Sequence, residues 1–399
     1  MTQRIRPGTV AAIALLLAAA AGCSGQQPTA PAPGGPPTAA RGAGGQDAEG
    51  PRPFTLLTAG DILPHSSVID RAAADAGGAG HDFAPMLAGV APVVSAADLA
   101  FCHMETVYGE EGGPYTGYPS FKSPPEVAAA LRTTGFDSCS TASNHTLDDG
   151  AEGVSRTLGA LDEAGIRHAG SARSAAEAAR PTLLPAGPGK GAAKVAHLAY
   201  TYGTNDIPVP ADQPWTVNVT DERKIIEEAR TARRAGADVV VLSIHWGTEW
   251  QDEPDARQLE LAERLTASAA GGRPDIDLIA GTHAHVPQAY EKVNGTWVVY
   301  GMGDQIAGAM INYEGVQDPR GNQSSMGRFT FAPPAKPGRR WTVKKAEFVP
   351  QWYDTATGRA VNLNASLDDG AEHLREVRDR IRTVVLGRGA DEDGLVMGR

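Results

Sequence analysis

Asp238-Val-Val-Val-Leu-Ser-Ile-His245 is the stretch that decides the fold. Its apolar core is continuous rather than alternating. That pattern predicts a strand buried on both faces, as in a largely parallel sheet covered by other layers. The run ends on a histidine, so the strand delivers an imidazole at its carboxyl end. On its upstream side, Glu222 to Ala235 predicts a helix stopped by Gly236. Downstream, Asp255 to Ala270 predicts a second helix, and Ile276 to Ala280 and Trp297 to Tyr300 predict short strands.

The same alternation runs back to Phe54. Strands are predicted over Phe54 to Ala59, Asp98 to Cys102, Phe136 to Ala142 and Lys194 to Tyr200, with helices over Glu126 to Thr134 and Ala151 to Ala164. The helix after Pro124-Pro125 carries the expected start signal, and Gly135 the stop. A strand near Trp341 to Pro350 and a helix from Gly370 to Val385 complete the chain, and Gly271-Gly272-Arg273-Pro274 reads as a small surface insertion. Strands and helices in this order specify an α/β layered fold with helices outside.

Five of these strands end on metal-ligand residue types. Asp61 follows the first and Glu105 the second. Asn144-His145 follow the third, His245 ends the fourth, and His283-Ala284-His285 follow the fifth. Open α/β sheets bind ligands outside the carboxyl ends of their strands. Alone, Asp61 would be a turn residue and His245 a satisfied core histidine. His283 and His285 are more specific, because His-x-His places two imidazoles on one side of an extended segment. Of the ten histidines, His65, His103, His145, His245, His283 and His285 fall in these segments; His81, His168, His197 and His373 do not. Carboxylate, amide and imidazole donors converging on one edge point to divalent metal ions, two in number, with Mn, Fe, Zn, Mg and Ca not distinguished. A carboxylate can bridge two ions while neutral donors complete their shells. His145, beside Asn144, is then free to protonate a leaving group.

Composition limits the partners. The formal net charge is −11, and losing Arg4 and Arg6 with the first 22 residues takes it to −13. Such a chain repels nucleic acid and anionic lipid, and no basic patch offsets this. The N-terminus supplies a different route to a membrane. Arg4 and Arg6 precede an apolar run from Val10 to Ala21, too short to span a bilayer, and Ala20-Ala21-Gly22-Cys23 resembles a bacterial lipobox. We expect residues 1–22 to be a signal peptide and Cys23 to be lipidated, anchoring an extracytoplasmic protein to the cell membrane. Ordinary cleavage near Ala21 is the alternative. Residues 23–52, rich in Pro, Gly and Ala, read as a disordered tether. Residues 53–399 read as one domain, with a core over 54–349 and an extension over 350–399. Export puts Cys102 and Cys139 in an oxidising compartment. A disulfide between neighbouring strands and two buried thiols both remain open.

Several blocks, in order, resemble the bacterial capsule-synthesis CapA (poly-γ-glutamate) family, a branch of the calcineurin-like metallophosphoesterases. They are TAGDILPH, DLAFCHMET, SFKSPPEVAAALRTTGFDSCSTASNHTLDDG, HWGTEWQDEPDARQ, GTHAHVPQ and VVYGMGDQI, spanning about Phe54 to Val349. The resemblance implies a four-layer αββα fold of two packed mixed sheets. It implies that Asp61 and His285 hold one metal, with His65 as a further ligand, that Glu105 bridges, and that Asn144, His245 and His283 hold the second. His145 is the implied acid, with His103, Asp148 and Asp304 behind the ligands. His103 and Asp304 stand where the family usually has Asn, and Ala284 where it has Pro. The implied activity is metal-dependent hydrolysis in capsule, poly-γ-glutamate or envelope-polymer metabolism. The alternative is a non-catalytic role binding an anionic polymer or serving as scaffold in a polymer-synthesis complex.

Overall fold

The computed structural model describes residues 51–187, 192–336 and 338–399. The expected signal peptide, Cys23 and the tether as far as residue 50 lie outside the described residues.

The strands in chain order are Phe54–Ile62 (β1), Leu99–Met104 (β2), Ser138–Ser140 (β3), Arg167–Ala169 (β4), Thr182–Ala186 (β5), Ala193–Thr201 (β6), Val239–His245 (β7), Leu278–Thr282 (β8), Tyr290–Val293 (β9), Thr296–Val299 (β10), Asp304–Ile306 (β11), Gln323–Ala332 (β12), Thr342–Asp354 (β13), Arg359–Asn362 (β14) and Leu395–Met397 (β15). Among the described residues they form a nine-stranded sheet, ordered β14-β13-β12-β1-β2-β3-β4, and a six-stranded sheet, ordered β9-β10-β8-β7-β6-β5. In the larger sheet β11 lies on β1 and β15 on β13. Strands β1 to β4 are mutually parallel, as are β6, β7, β8 and β10, while β12 and β5 run antiparallel to their neighbours.

The period-2 geometry of a strand sorts side chains onto two faces, and the cores follow it. Val239 and Val241 of β7 pack with Phe54, Leu56, Phe101, Phe329 and Phe348 in a layer shared by both sheets. Val240, Leu242 and Ile244 face the other way, onto Ile225, Ala229, Ala262 and Leu265 of two helices. On β1, Leu57 and Ala59 likewise turn outward to Val68, Leu87 and Leu131. The result is the expected four layers: helices, sheet, sheet, helices. Each fully buried Val, Leu or Phe contributes roughly 1.5–3 kcal/mol through area removed from water.

Local departures from expectation have local causes. The helix expected over Asp255 to Ala270 spans Ala256–Ala267, started by an Asp255/Gln258 capping box. It stops early because Ala269–Ala270 pairs with Arg273–Pro274 in a two-stranded ribbon. Gly271 and Gly272 turn that ribbon with φ of 60° and 77°, so the expected insertion is a hairpin tip. Strand β12 is unannounced in sequence because its first half, Gln-Ser-Ser, is polar yet buried. The boundary expected at residue 349 falls inside β13, and β15 and helix Arg375–Val385 add Leu395, Ile381 and Val385 to the inter-sheet core. Cys102 and Cys139 are directly opposite on β2 and β3 and form a disulfide, which resolves the alternative left open by spacing.

Candidate metal centre

Strand β1 runs past Ala59 to Ile62, so Asp61 is a strand residue rather than a loop residue. It sits between His103 of β2 and Asp304 of β11 in register. Gly60 makes this possible: a Cβ there would stand 1.8 Å from the carbonyl oxygen of Gly303. Glu105, Asn144, His245, His283 and His285 arrive from the ends of their strands, and all five are buried. The expectation of an extended His-x-His segment fails. His283 and His285 have φ of 94° and 58°, in the left-handed region that non-glycine residues occupy only when their surroundings enforce it. The His283 N–H donates to Asp61 Oδ2 at 3.1 Å, one of the contacts that hold this turn.

The donor atoms converge. Asp61, Glu105, His285 and Asp304 form one group of ligand atoms within 4.8 Å of one another, and Asp61, His103 and His245 form another sharing Asp61. Asn144 Oδ1 lies 2.9 Å from His245 Nε2, and Glu105 Oε1 lies 3.7 Å from the same nitrogen. Neighbouring ligands of one ion, each about 2.1 Å from it, stand about 3.0 Å apart at about 90° and about 3.6 Å apart at about 120°, so these separations lie close to those of a shared ion. His245 Nδ1 meets Thr282 Oγ1 at 3.0 Å, and His285 Nδ1 meets Asp304 Oδ1 at 3.0 Å. Each contact fixes its ring and leaves Nε2 as the ligand nitrogen. His103 and Asp304, expected behind the ligands, also reach the cluster. His103 Nδ1 bonds Ser140 Oγ at 2.7 Å while its Nε2 stands 3.8 Å from Asp61 Oδ1. His65 and His283 stand outside both groups, and His65 Nδ1 accepts from the Gly308 N–H at 3.3 Å.

A metal is tested by the atoms left over. Asp61 Oδ1, both oxygens of Glu105, His103 Nε2, His283 Nδ1 and Asp304 Oδ2 are buried without a hydrogen-bond partner. Buried polar atoms are almost always satisfied, and carboxylates most of all. Orphaned donors of these types in one place fit divalent ions. Electrostatics agree. Burial, then the neighbouring Asp304 carboxylate, raises Asp61 well above the usual carboxylate range; burial, then Asp61, does the same to Glu105. Burial depresses His103 to about 3 and His65 to about 4, and pushes His245 and His283 well below their ordinary value. His285 differs: burial is the largest influence and opposes its charge, but the carboxylates of Asp304, Glu105 and Glu249 together outweigh burial and raise it. The chain alone has too little positive charge here to hold these carboxylates ionised, and bound cations would supply it.

His145 is placed apart from the ligand groups. Its Nδ1 lies 2.7 Å from Asp148 Oδ2, which also accepts the Phe121 N–H at 2.6 Å, and the Phe121 ring meets the imidazole edge-on at 4.7 Å. Sequence reasoning missed Thr282 and Ser140, whose hydroxyls orient the rings, and Asn205, which accepts from Asn144 Nδ2 at 3.3 Å. No sequence signal marks a lone hydroxyl or amide of this kind.

Residues 55–309 match the family described as bacterial capsule synthesis protein PGA_cap. The chain is 25% identical over 229 residues to a probable polyglutamine synthesis accessory protein of Mycobacterium tuberculosis, covering 56% of this chain and 58% of that one. It is 26% identical over 185 residues to the capsule biosynthesis protein CapA of Bacillus anthracis (45% and 42% covered). It is 28% identical over 184 residues to the PGA biosynthesis protein CapA of Bacillus subtilis (45% and 45% covered). The chain therefore spans about half the length of the curated relatives it matches. Among solved structures, the calcineurin-like phosphoesterase YfkN of Bacillus subtilis aligns at 14% identity and a TM-score of 0.48, covering 83% of this chain and 99% of that one.

Proposed function

The chain belongs to the PGA_cap family of bacterial capsule synthesis proteins, and from that premise we propose that it is a lipid-anchored, metal-dependent hydrolase of an anionic envelope polymer. The observation that carries the reading is the set of orphaned, buried donor atoms on Asp61, Glu105, His103, His283 and Asp304 at one sheet edge.

Asp61 and His285 would hold one ion, Asn144, His245 and His283 the other, and Glu105 would bridge. Such ions supply positive charge that offsets the carboxylates and polarises a phosphoryl or acyl oxygen of the substrate. The remaining work falls to the chain. Asp148 fixes the ring of His145 through Nδ1, so that Nε2 is the nitrogen left to face the leaving group, to which the doubly protonated ring would give its proton. Thr282 and Asp304 hold the ligand rings in one tautomer. The disulfide of Cys102 and Cys139 supports an oxidising, extracytoplasmic location and, with it, lipidation of Cys23.

The test is metal analysis of the chain from Ser24 onward, followed by assays on a generic phosphodiester and on poly-γ-glutamate. Bound divalent ions and turnover lost in His145→Ala are expected. A chain free of divalent metal, or turnover indifferent to His145→Ala, overturns the reading. A metal-loaded but inert chain that binds anionic polymer would replace it with the scaffold role.

A further inference from the structure

Glu249 belongs to none of the ligand groups, yet it overhangs them. Its Oε1 stands 3.9 Å from His285 Nε2, the nitrogen that Asp304 leaves free, and 4.0 Å from His283 Nε2. The carboxylate is mostly buried, with 22% of the side chain exposed, and no guanidinium or ammonium is paired with it among the described residues. The Tyr313 hydroxyl is within hydrogen-bonding reach of it, and Tyr313 itself is 73% exposed.

The loop that carries Glu249 is built rather than slack. Gly247 and Trp250 take left-handed φ of 98° and 68°. The Trp250 N–H donates to Ala284 O at 2.9 Å, joining the loop to the residue between the two histidines. Gln288 Nε2 donates to Gln251 O at 2.9 Å. Asp252 accepts from Arg320 at 3.2 Å and from Arg380 at 2.8 and 2.7 Å. Arg380 lies beyond residue 309, where the family match ends. A strained residue beside an anchored carboxylate, aimed at two imidazoles, is a functional arrangement rather than a surface accident.

Resting on the metal centre proposed above, we infer that Glu249 is a displaceable metal ligand: a resident carboxylate that caps the His285 side of the centre and yields its place to the incoming substrate anion. Two ligands of one ion can stand up to about 4.2 Å apart, twice a metal–ligand bond of about 2.1 Å. The 3.9 Å from His285 Nε2 falls within that reach. Cap and substrate oxygen compete for one coordination position, so each anion bound releases one carboxylate and no covalent bond changes. Tyr313 positions the cap, and Asp252 with Arg380 positions its loop.

The test loads the full chain with Co²⁺ and compares it with Glu249→Gln by visible absorption and by calorimetric titration with inorganic phosphate. A cap engaged about four-fifths of the time leaves one-fifth of the molecules open, so its removal tightens phosphate binding about fivefold. The absorption spectrum without phosphate changes as well. Phosphate affinity that is unchanged or weaker overturns the inference, because nothing was displaced. Tighter binding with an unchanged spectrum also overturns it, since Glu249 then repels without ligating. If Glu249→Gln does not fold, Tyr313→Phe decides by the same two readouts, with at least a twofold tightening expected. A wild-type chain that binds no divalent ion overturns both this inference and the proposed function; a metal-loaded chain indifferent to Glu249→Gln overturns this one alone.

Discussion

Among the described residues two clusters of acids and histidine occur, and they differ in how their charge is met. Asp162, His168 and Glu177 also bring their ligand atoms within 4.8 Å of one another. There, however, the positive charge is part of the chain. Arg173 donates to Asp162 Oδ2 at 2.7 Å and to Glu177 from Nε at 3.1 Å and from its backbone N–H at 2.6 Å. His168 Nε2 lies 3.3 Å from Asp162 Oδ1. A cavity of about 260 Å³ opens beside this cluster, so a cavity next to acids and a histidine does not by itself mark a metal site. The difference is that, among the described residues, the Asp61 cluster has no arginine or lysine partner and leaves donor atoms orphaned, whereas the Asp162 cluster is closed by a guanidinium. Residue types in proximity do not make a metal site; unmet charge and unmet hydrogen-bonding capacity do.

The widest gap between the clusters is expected in metal binding itself. Glu105→Gln and His245→Ala should each lose bound divalent metal, measured by elemental analysis, while Asp162→Asn and His168→Ala keep the wild-type content. Metal at about a hundredfold over Kd should stabilise the wild type by about 2.7 kcal/mol, read as a rise in Tm that chelation reverses. Metal lost from Asp162→Asn but retained by His245→Ala would break the comparison outright.

Part of this contrast was legible in the sequence. The strand runs placed Asp61, Glu105, Asn144, His245, His283 and His285 at one edge, because a buried strand followed by a polar residue marks where that edge lies. His168 was set aside for the same reason: it follows no such run. The folding of one alternating pattern into two stacked sheets was not legible from periodicity, which is the same for β1 and β7; only the resemblance to a four-layer family implied it. The nearness of Asp304 to Asp61 was also hidden from periodicity, and only the resemblance put Asp304 behind the ligands. That nearness depends on β11 taking over beside β1 where β12 leaves off, and on Gly60 allowing the approach. The left-handed turns at His283 and His285 are tertiary effects that no local rule announces. Nothing in the sequence sets Arg173 apart from the other arginines; only the fold brings Asp162 and Glu177 to it.

The pH response sharpens the comparison because its sign differs between the clusters. Burial and then Asp61 hold Glu105 well above the usual range. The metal-free folded chain therefore keeps a proton that the unfolded chain releases above about pH 4, and this group opposes folding increasingly as pH rises. Metal-free Glu105→Gln should be more stable than the metal-free wild type at pH 8, by on the order of 1–3 kcal/mol. The advantage should shrink as pH falls toward 5, and its order should reverse when metal is added. Denaturant titrations of chelated and loaded protein at both pH values check this. A metal-free Glu105→Gln less stable than wild type at pH 8 would show that the carboxylate has a partner other than a metal.

Glu177 carries the opposite sign and a smaller effect. Burial alone would raise it, but the hydrogen bonds and charge of Arg173 outweigh burial and hold it below the usual carboxylate range. The folded chain gives up this proton before the unfolded chain does. The resulting stability is present above the unfolded value of about 4.3 and is lost as pH falls through the folded one. Glu177 is partly exposed, so solvent screening limits the pair to about 0.5–1 kcal/mol. Glu177→Gln should therefore lower stability slightly at pH 7, less at pH 4, and less again in 1 M salt, where screening shortens to about 3 Å. Metal content should not change, since Arg173 rather than an ion is the partner. A loss of bound metal in Glu177→Gln would mean that the guanidinium shares its carboxylates with a cation, and the two clusters would then differ in degree rather than in kind.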